Sequence, residues 1–316
     1  MTINTAAHVP VLLAAVLDGL NVGARPDSLF IDGTLGAGGH TAAILAANPS
    51  ARVLGFDRDA QALTLARERL TPYGERATLI HASHEQMGSL APSLGFAQVD
   101  GILLDLGISS MQIDQADRGF AFRTDGPLDM RFDADSDDPT AADMVNTYEE
   151  TELADILFNY GEETDSRRIA RAIVAARPLS TTTQLADVIA KAVPHAPHGS
   201  HKTRIHPATR SFQALRIAVN DELGAVERTL PIALDLLATG GRLAVISFHS
   251  LEDRIVKQYF KRESTDCLCP PRQPICTCGH VARIDLITRK PLSASDDEIA
   301  ANPRSRSAQL RIAEKR

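Results

Sequence analysis

Short apolar runs alternate with helical patterns through the first third of the chain, and this alternation limits the fold more than any other feature. The apolar runs are Ser28–Asp32, Arg52–Asp57, Ala77–His81 and Val99–Leu106, and the clearest helical pattern is Asp59–Leu70. Strands of about four to eight residues that alternate with helices of about ten or more are typical of β-α-β units. The sequence therefore predicts an α/β core with a mostly parallel sheet.

The alternation is interrupted between about Asp114 and Ala214, where only helical patterns occur. These patterns are Thr140–Tyr148, Glu149–Asn159, Asp165–Ala176 and Thr181–Val193, followed by a Pro-, His- and Gly-rich loop at Pro194–Pro207. After a long helix from about Pro207, the predicted elements are a helix at Ser250–Arg262 and strands at Arg242–Phe248, Ile284–Thr288 and Ala308–Ile312. We therefore predict a core of residues 1–113 and 215–316, with an all-helical insertion at residues 114–214 that recognises the substrate.

The composition is ordinary for a globular protein. The 316 residues are 44% hydrophobic and 23% charged, which excludes the disordered and collagen-like classes. The N-terminus has no charged segment followed by an apolar stretch, so no secretory signal is recognised. No run approaches the roughly eighteen apolar residues that a membrane span needs. We therefore expect a cytoplasmic protein without a membrane partner.

The net charge of −7 argues against nucleic acid, but the charge is distributed unevenly along the chain. Sixteen acidic residues accompany three arginines between Asp114 and Asp165, whereas nine Lys or Arg accompany one acid between Ser166 and Arg216. Such segregation can present a basic face of the kind that phosphate backbones require. Solvated helix faces explain the same pattern, and composition alone favours that second interpretation.

A glycine-rich segment, Asp32–His40 (DGTLGAGGH), joins the first predicted strand to the first helix. Glycines there allow positive φ and a close approach of the backbone to a ligand, and a helix N-terminus offers unpaired N–H groups. A dinucleotide fingerprint starting at Gly36 would need a third glycine where Thr41 stands. The loop departs from the NAD pattern and suits the looser glycine loop around the methionine part of S-adenosylmethionine, although many such segments are only tight turns.

Two acidic residues end predicted strands near this loop. Asp57 ends the second strand, where a carboxylate can accept both ribose hydroxyls of an adenosine. Asp105 ends the fourth strand, beside the crevice where parallel sheets bind ligands. Either acid alone is more simply a helix cap. Together with the glycine loop, they predict an S-adenosylmethionine site in a Rossmann-like, class I methyltransferase core.

Longer motifs extend this prediction over nearly the whole chain. They are, in order, His8–Pro10, Asp105–Gln112 (DLGISSMQ), Arg118–Phe122 (RGFAF), Pro127–Phe132 (PLDMRF), His206–Ile217 (HPATRSFQALRI), Ser247–Lys257 (SFHSLEDRIVK) and Asn302–Ala308. With these motifs the chain closely resembles the bacterial ribosomal RNA small-subunit methyltransferase H family. The resemblance implies methylation of the exocyclic N4 amine of cytosine 1402 in the decoding region of 16S ribosomal RNA. The implied partner is this RNA within an assembled or late-assembly small ribosomal subunit.

The resemblance also implies which residues contact the cofactor. They are Gly38, Gly39, His40, Asp57, Asp105 and Gln112. The family usually carries an aromatic residue after the third strand that packs against the adenine, and the corresponding position here is His84. Because an imidazole stacks more weakly than a phenyl ring, His84 is either a cofactor contact or a partly exposed loop histidine.

The chemistry requires positioning more than acid catalysis, because the sulfonium departs as a neutral leaving group. Amine methyltransferases commonly hold the amine with an acid or amide followed by Pro-Pro-aromatic after strand four, whereas this chain has Asp105–Ile108 (DLGI). Asp105 is still the best candidate for accepting a hydrogen bond from the cytosine amine, the alternative being that it only holds the cofactor. Ser109 or Ser110 would orient the base.

Two further sets of residues complete the predicted site. His249 follows the predicted strand Arg242–Phe248 and would collect the proton released after transfer, the alternative being a structural histidine. Arg210, Gln213 and Arg216 recur every three residues, so they should share one face of the long helix. That face contacts RNA phosphate, which the resemblance favours, or pairs with the acidic stretch of the insertion.

All four cysteines lie between Cys267 and Cys278, as two Cys-x-Cys pairs. Without a secretory signal, disulfides are not expected. The pairs could bind a structural zinc ion, with His280 as a spare donor, although structural sites usually space each pair by at least two residues. The spacing leaves zinc binding open, and we assign no metal to the active site.

Three other functions stay open at this point. An NAD-dependent dehydrogenase shares the fold class, but Thr41 replaces the third glycine of the dinucleotide-binding motif. A DNA cytosine-amine methyltransferase would act on the same amine, and the missing Pro-Pro motif counts against it. A non-catalytic ribosome-assembly factor would retain the cofactor pocket without transferring a methyl group to any RNA.

Overall fold

The computed structural model describes residues 10–193, 206–270, 273 and 275–316. The chain divides into two compact units: a sheet unit of Met1–Gly107 with Leu223–Arg316, and a helical unit of Ile108–Glu222. The predicted limits of the insertion, 114 and 214, therefore fall inside the helical unit. Most of the loop predicted at Pro194–Pro207 lies outside the described residues.

The sheet unit contains one sheet whose order is β3-β2-β1-β4-β5-β8-β6, with β7 paired to β8. Its strands are β1 (Leu29–Asp32), β2 (Arg52–Asp57), β3 (Ala77–His81), β4 (Val99–Asp105), β5 (Leu237–Ser247), β6 (Ile284–Leu286), β7 (Leu292–Ser293) and β8 (Gln309–Lys315). β1 to β5 pair in parallel, and β8 pairs antiparallel with β5, β6 and β7. The prediction of a mostly parallel α/β sheet is confirmed.

The central strands are buried on both faces, as parallel strands between helical layers must be. Successive side chains of a strand point to opposite faces. Phe30 therefore belongs to one apolar cluster, with Val53 and Leu103. Ile31 belongs to the other, with Leu54 and Leu104. This explains why these strands appear in the sequence as nearly continuous apolar runs.

The strand order reverses between β1 and β4. β2 and β3 extend the sheet on one side of β1, and β4 and β5 extend it on the other. In open parallel sheets, ligands bind at the carboxyl ends of the strands at such a reversal. Asp32 ends β1 and Asp105 ends β4, so the fold itself brings these two acids to the expected ligand-binding crevice.

The helices mostly begin and end within a few residues of the predicted patterns. In chain order they are α1 (Leu13–Gly19), α2 (Gly39–Ala47), α3 (Ala60–Leu70), α4 (Met87–Leu90), α5 (Ser110–Asp114), α6 (Ala141–Thr147), α7 (Glu150–Gly161), α8 (Ser166–Ala176), α9 (Thr182–Ala192), α10 (Ala208–Asn220), α11 (Glu222–Leu236), α12 (Ser250–Glu263) and α13 (Asp296–Ala301). Thr181 caps α9, since its side chain accepts a hydrogen bond from the Gln184 backbone. None of the described helices is long and apolar enough to cross a membrane.

The helical unit has its own apolar core, in which α7 packs against α8 and α10. Asn220, at the end of α10, donates a side-chain hydrogen bond to the Met130 carbonyl and accepts one from the Phe132 backbone, both at 2.7 Å. Because Asn220 is buried, these bonds fix the Pro127–Phe132 motif against the end of α10.

Three features differ from the sequence predictions. The long helix expected after Pro207 is two helices, because Asp221 adopts a left-handed conformation with φ 47° between α10 and α11. β5 begins at Leu237 rather than Arg242, since the strand already includes Gly240 and Gly241, which precede the predicted limit. The sequence analysis also predicted none of α1, α4, α5, α13 and β7.

Candidate functional site

The glycine loop between β1 and α2 turns through left-handed backbone conformations. Gly36 has φ 53° and Gly38 has φ 76°, values that residues with a Cβ rarely adopt. A Cβ on Gly39 would lie 2.6 Å from Pro10 Cγ, whereas a Cβ on Gly36 would have no atom within 4 Å. The loop is therefore tightly packed at Gly39, and it leaves space open beside Gly36.

Asp57 connects the end of β2 to this loop. Its Oδ2 accepts a hydrogen bond from the Gly36 backbone at 2.7 Å, and its Oδ1 accepts one from the Asp59 backbone at 2.8 Å. Burial raises the pKa of Asp57 to about 6, despite these two backbone donors. Each carboxylate oxygen keeps a further lone pair, so the group can still accept hydrogen bonds from hydroxyls.

Asp32 is a buried acid at the same end of the sheet that the sequence analysis did not select. Its Oδ2 accepts a hydrogen bond from Thr41 Oγ1 at 2.7 Å, and its Oδ1 accepts one from the Thr34 backbone at 3.2 Å. Burial raises the pKa of Asp32. Thr41 thus supplies a hydroxyl for a buried acid at the position where a dinucleotide fingerprint has glycine. The signal was available in the sequence: an acid ending a buried strand, with a threonine replacing the third glycine.

Asp105 and His40 meet where β4 and the glycine loop come together. The Asp105 backbone donates to Thr34 Oγ1 at 2.5 Å, and Asp105 Oδ2 lies 3.6 Å from His40 Nε2. His40 is buried, and neither of its ring nitrogens nor Asp105 Oδ1 has a hydrogen-bond partner among the described residues. A buried polar atom left without a partner costs about 1–3 kcal/mol. These atoms therefore indicate that a polar ligand completes the site.

His84 lies beside the start of the glycine loop. A Cβ on Gly33 would come 3.2 Å from His84 Cβ, and His84 Nδ1 is hydrogen-bonded to Thr229 Oγ1 of α11 at 2.7 Å. Burial lowers the pKa of His84 to about 4, so its ring is neutral at physiological pH. A neutral ring held in this way can stack on an adenine, and this role for His84 stays a prediction.

His249 is the N-cap of α12. Its Nδ1 accepts a 3.5 Å hydrogen bond from the Glu252 backbone, and its Nε2 lies 3.1 Å from Glu252 Oε1 without the alignment of a hydrogen bond. Glu252 is buried and also accepts from the Phe248 backbone at 2.8 Å. The geometry favours the structural interpretation of His249. It does lie at the expected edge, since Asp105 pairs with Ile246 in the sheet.

The predicted residues that follow Asp105 belong to the helical unit. Ser109 caps α5: its Oγ accepts from the Gln112 backbone at 3.2 Å, and Gln112 Oε1 accepts from the Ser109 backbone at 3.0 Å. This reciprocal capping box fixes both side chains. The Ser110 side chain lies outside the described part of the structure. Base orientation by Ser109 or Ser110, and cofactor contact by Gln112, stay predictions.

The three residues predicted to share a face of the long helix do not form one exposed surface. Arg210 is exposed and approaches the Glu162 carbonyl at 3.5 Å, and Gln213 is half-buried. The Arg216 side chain is only 13% exposed and holds the buried Glu222 with two hydrogen bonds of 2.7 and 2.9 Å. The structure therefore favours ion pairing for Arg216, here with an acid just past α10 rather than with the acidic stretch.

Other bases of the Ser166–Arg216 segment also have structural contacts. Arg177 donates to the Val145 carbonyl at 2.7 Å and to the Tyr148 carbonyl, and Arg171 lies 3.4 Å from Glu150. Five bases of the described segment are exposed to an outside partner: Arg167, Arg168, Arg171, Lys191 and Arg210. Of the seven bases that the structure describes in this segment, Arg177 and Arg216 are therefore committed to internal contacts.

Comparisons with known proteins agree with the motifs. The MraW methylase family matches residues 5–316. A protein named ribosomal RNA small subunit methyltransferase H from Geobacter sulfurreducens is 53% identical over 315 residues, which cover 98% of this chain and 99% of that protein. One of the same name from Heliobacterium mobile is 52% identical over 313 residues, 98% of each chain. With a parallel sheet, a glycine loop at its strand reversal and this similarity along its whole length, the chain belongs to the MraW methylase family.

Proposed function

We propose that the protein transfers a methyl group from S-adenosylmethionine to the N4 amine of cytosine 1402 in 16S ribosomal RNA. The observation that carries the proposal is the pair formed by buried His40 and half-buried Asp105, whose buried polar atoms lack partners among the described residues beside a glycine loop at the strand reversal. About half the residues are identical to those of proteins named as small-subunit ribosomal RNA methyltransferases, and this supports the RNA substrate.

The cofactor is S-adenosylmethionine, and the residues of the sheet unit fit it. Gly38, Gly39 and His40 would surround its methionine part, next to the open space beside Gly36 and where the His40 nitrogens need partners. Asp57 would accept the ribose hydroxyls through its remaining lone pairs, and the neutral ring of His84 would lie against the adenine. The cofactor supplies an electrophilic methyl group on a sulfonium.

Asp105 would hold the reacting amine. Its Oδ1 has no partner among the described residues, so it can accept a hydrogen bond from one N–H of the cytosine amine. That bond would orient the nitrogen for in-line attack, which is the larger part of catalysis when the leaving group is neutral. After transfer the nitrogen carries one extra proton, and the Asp105 carboxylate is the nearest acceptor by this arrangement. His249, whose geometry favours a structural role, would be a second acceptor for this proton.

The RNA would be held as a shaped substrate. A stacked base cannot present its amine in line with a sulfonium, so the cytosine must be unpaired or extruded. Few bases are exposed among the described residues of the helical unit, and the net charge of −7 weakens nonspecific attraction. We therefore propose that the substrate is the RNA within an assembled or late-assembly small ribosomal subunit, and that the protein acts in the cytoplasm.

Methyl transfer from labelled cofactor to small-subunit particles that lack the modification tests this function. Nucleoside analysis of the product should give N4-methylcytidine at one position, and a short oligonucleotide of the same sequence should be a far poorer substrate. Cofactor binding without transfer to any RNA would instead favour the assembly factor. Equal activity on the bare oligonucleotide would contradict recognition of a folded particle.

A further inference from the structure

The four cysteines lie in one loop between α12 and β6, and their sulfur atoms converge. All four Sγ atoms lie within 4.8 Å of one another. The separations include 3.5 Å for Cys267–Cys276, 3.6 Å for Cys276–Cys278, 3.9 Å for Cys267–Cys278 and 4.0 Å for Cys269–Cys276. Two Cys-x-Cys segments therefore bring four donors to one point.

These separations match a single tetrahedral metal ion. Zinc binds thiolate sulfur at about 2.3 Å, which places the four corners of a tetrahedron about 3.8 Å apart. A disulfide would need its two sulfurs at about 2.05 Å, and all four cysteines are free thiols in this structure. Iron–sulfur clusters place at least two irons and their sulfides between the thiolates, which separates thiolates on different irons more widely. Sulfurs this close therefore favour one mononuclear ion.

The backbone around the sulfurs is arranged as the outer shell of a metal site. The Leu268 N–H points to Cys278 Sγ at 3.3 Å, and the Thr277 N–H points to Cys269 Sγ at 3.4 Å. Each bond runs from one Cys-x-Cys segment to a sulfur of the other. Hydrogen bonds from outside groups commonly orient the ligands of metal sites.

The loop has little apolar packing of its own to hold these segments together. Among its described residues, the large apolar side chains Leu268, Ile275 and Val281 are exposed, and only the small Ala282 is buried. Small units without a core usually depend on a disulfide or a metal ion for their fold. With no disulfide formed among the four cysteines, a bound ion is the simplest source of this convergence.

We propose that Cys267, Cys269, Cys276 and Cys278 bind one zinc ion through four thiolates. Thiolate ligands in tetrahedral geometry favour zinc among the common metals. Because the protein fills all four positions, the site is closed and structural rather than catalytic. His280, the spare donor considered from the sequence, is not needed as a ligand: its Nε2 is hydrogen-bonded to the Arg262 carbonyl at 2.9 Å.

The zinc site fastens the end of α12 to the start of β6. Where the loop rejoins the sheet unit, the Arg283 backbone donates to the Glu263 carbonyl at 2.7 Å and the Ala282 backbone donates to Asp266 Oδ1 at 3.2 Å. Removal of the ion should loosen the loop while the sheet, whose core lies elsewhere, stays folded. The site is independent of the methyl-transfer proposal.

Elemental analysis of the full chain, purified without chelator, tests the proposal. We expect about one zinc per chain, and X-ray absorption should show four sulfur neighbours at about 2.3 Å. The double variant Cys267→Ser with Cys276→Ser should lose the zinc, whereas the control variant Ser264→Ala beside the loop should keep it. Four reactive thiols with no zinc after the reduced protein is incubated with zinc chloride would overturn the proposal, as would iron in place of zinc or two disulfides.

A second measurement covers the case in which the cysteine variants fail to fold. Chelator treatment of the unmodified chain should release zinc and speed hydrogen exchange at the Leu268 and Thr277 amides, because both donate to sulfur in the bound state. Added zinc should restore slow exchange at both amides. Exchange rates that are the same with and without chelator would contradict a metal-held loop.

Discussion

The candidate site depends on a few side chains whose neighbours change their chemistry. Asp32, Asp57 and His84 all have pKa values moved by burial towards their neutral forms. His40 and Asp105 instead have polar atoms with no partner among the described residues. Perturbed titration and missing partners at one edge of a sheet are typical of ligand sites rather than of ordinary core positions. The shifted pKa values and the unpartnered polar atoms are therefore the strongest physical evidence for a cofactor site here.

Asp57 should make cofactor affinity depend on pH. Its pKa is raised to about 6, so the carboxylate is ionised above that pH and accepts stronger hydrogen bonds from the ribose. We expect affinity for S-adenosylmethionine to rise by up to about fivefold between pH 5 and 7, as a charged acceptor gains about 1 kcal/mol over a neutral one. Calorimetry across this pH range measures it, with Asp57→Asn as the control that cannot titrate. The same pH dependence in both proteins would remove Asp57 from the ribose site.

The raised pKa of Asp57 also makes the stability of the cofactor-free protein depend on pH. A raised carboxyl pKa means that the folded protein binds this proton more tightly than the unfolded chain does. Protonated Asp57 therefore favours the fold below about pH 4, and this contribution is lost as the pH rises through 6. The free energy of unfolding of Asp57→Asn should lack this component of the pH dependence, which urea titrations at several pH values would reveal.

At the scale of elements, the helix α10 combines a structural ion pair with an exposed base. Arg216→Ala would remove the two hydrogen bonds that Arg216 donates to the buried Glu222 carboxylate, and breaking a buried ion pair from one side costs about 3–5 kcal/mol. Denaturant unfolding should show this loss. The double variant Arg216→Met with Glu222→Leu, which removes both charges, should recover most of it. A stable Arg216→Ala protein with weakened RNA binding would restore the phosphate-contact interpretation.

Much of the element pattern could be predicted because it depends on local periodicity. β2 and β3 match their predicted limits, and the helices of the insertion match to within two residues at each end. The break at Asp221 could not be predicted, since a left-handed aspartate has no strong sequence signal. Within the site, Asp57 and Asp105 were found because they end strands. The Thr34–Asp105 bond was missed because it joins residues 71 positions apart, a contact that only the assembled sheet creates.

At the scale of the whole molecule, a chain with net charge −7 must bind RNA through a limited set of bases. Arg167, Arg168 and Arg210 are exposed on the helical unit. Reversal of all three to Glu should weaken binding to small-subunit particles and flatten its salt dependence. Each lost phosphate contact lowers the slope of log K against log salt by about 0.7–0.9. Cofactor affinity should not change.

A charge-matched control separates this effect from a general change of net charge. The control reverses three exposed bases of the sheet unit, Arg67, Arg69 and Lys257, to Glu. It changes the total charge by the same amount as the reversal on the helical unit. Filter binding across a salt series should show a flatter slope only for the helical-unit variant. Equal slopes in both triple variants would mean that the helical unit holds no specific phosphate contacts.

The single-turnover rate of cytosine methylation by Asp105→Ala at saturating cofactor tests most directly whether Asp105 holds the reacting amine. Saturation removes any loss of cofactor affinity, so the rate reports on how the amine is held. We expect a fall on the order of 100-fold or more, the range expected when a positioned acid or base group is removed. The exposed control Asp187→Ala should retain the full rate. An unchanged rate for Asp105→Ala, with cofactor bound, would contradict the site proposed here.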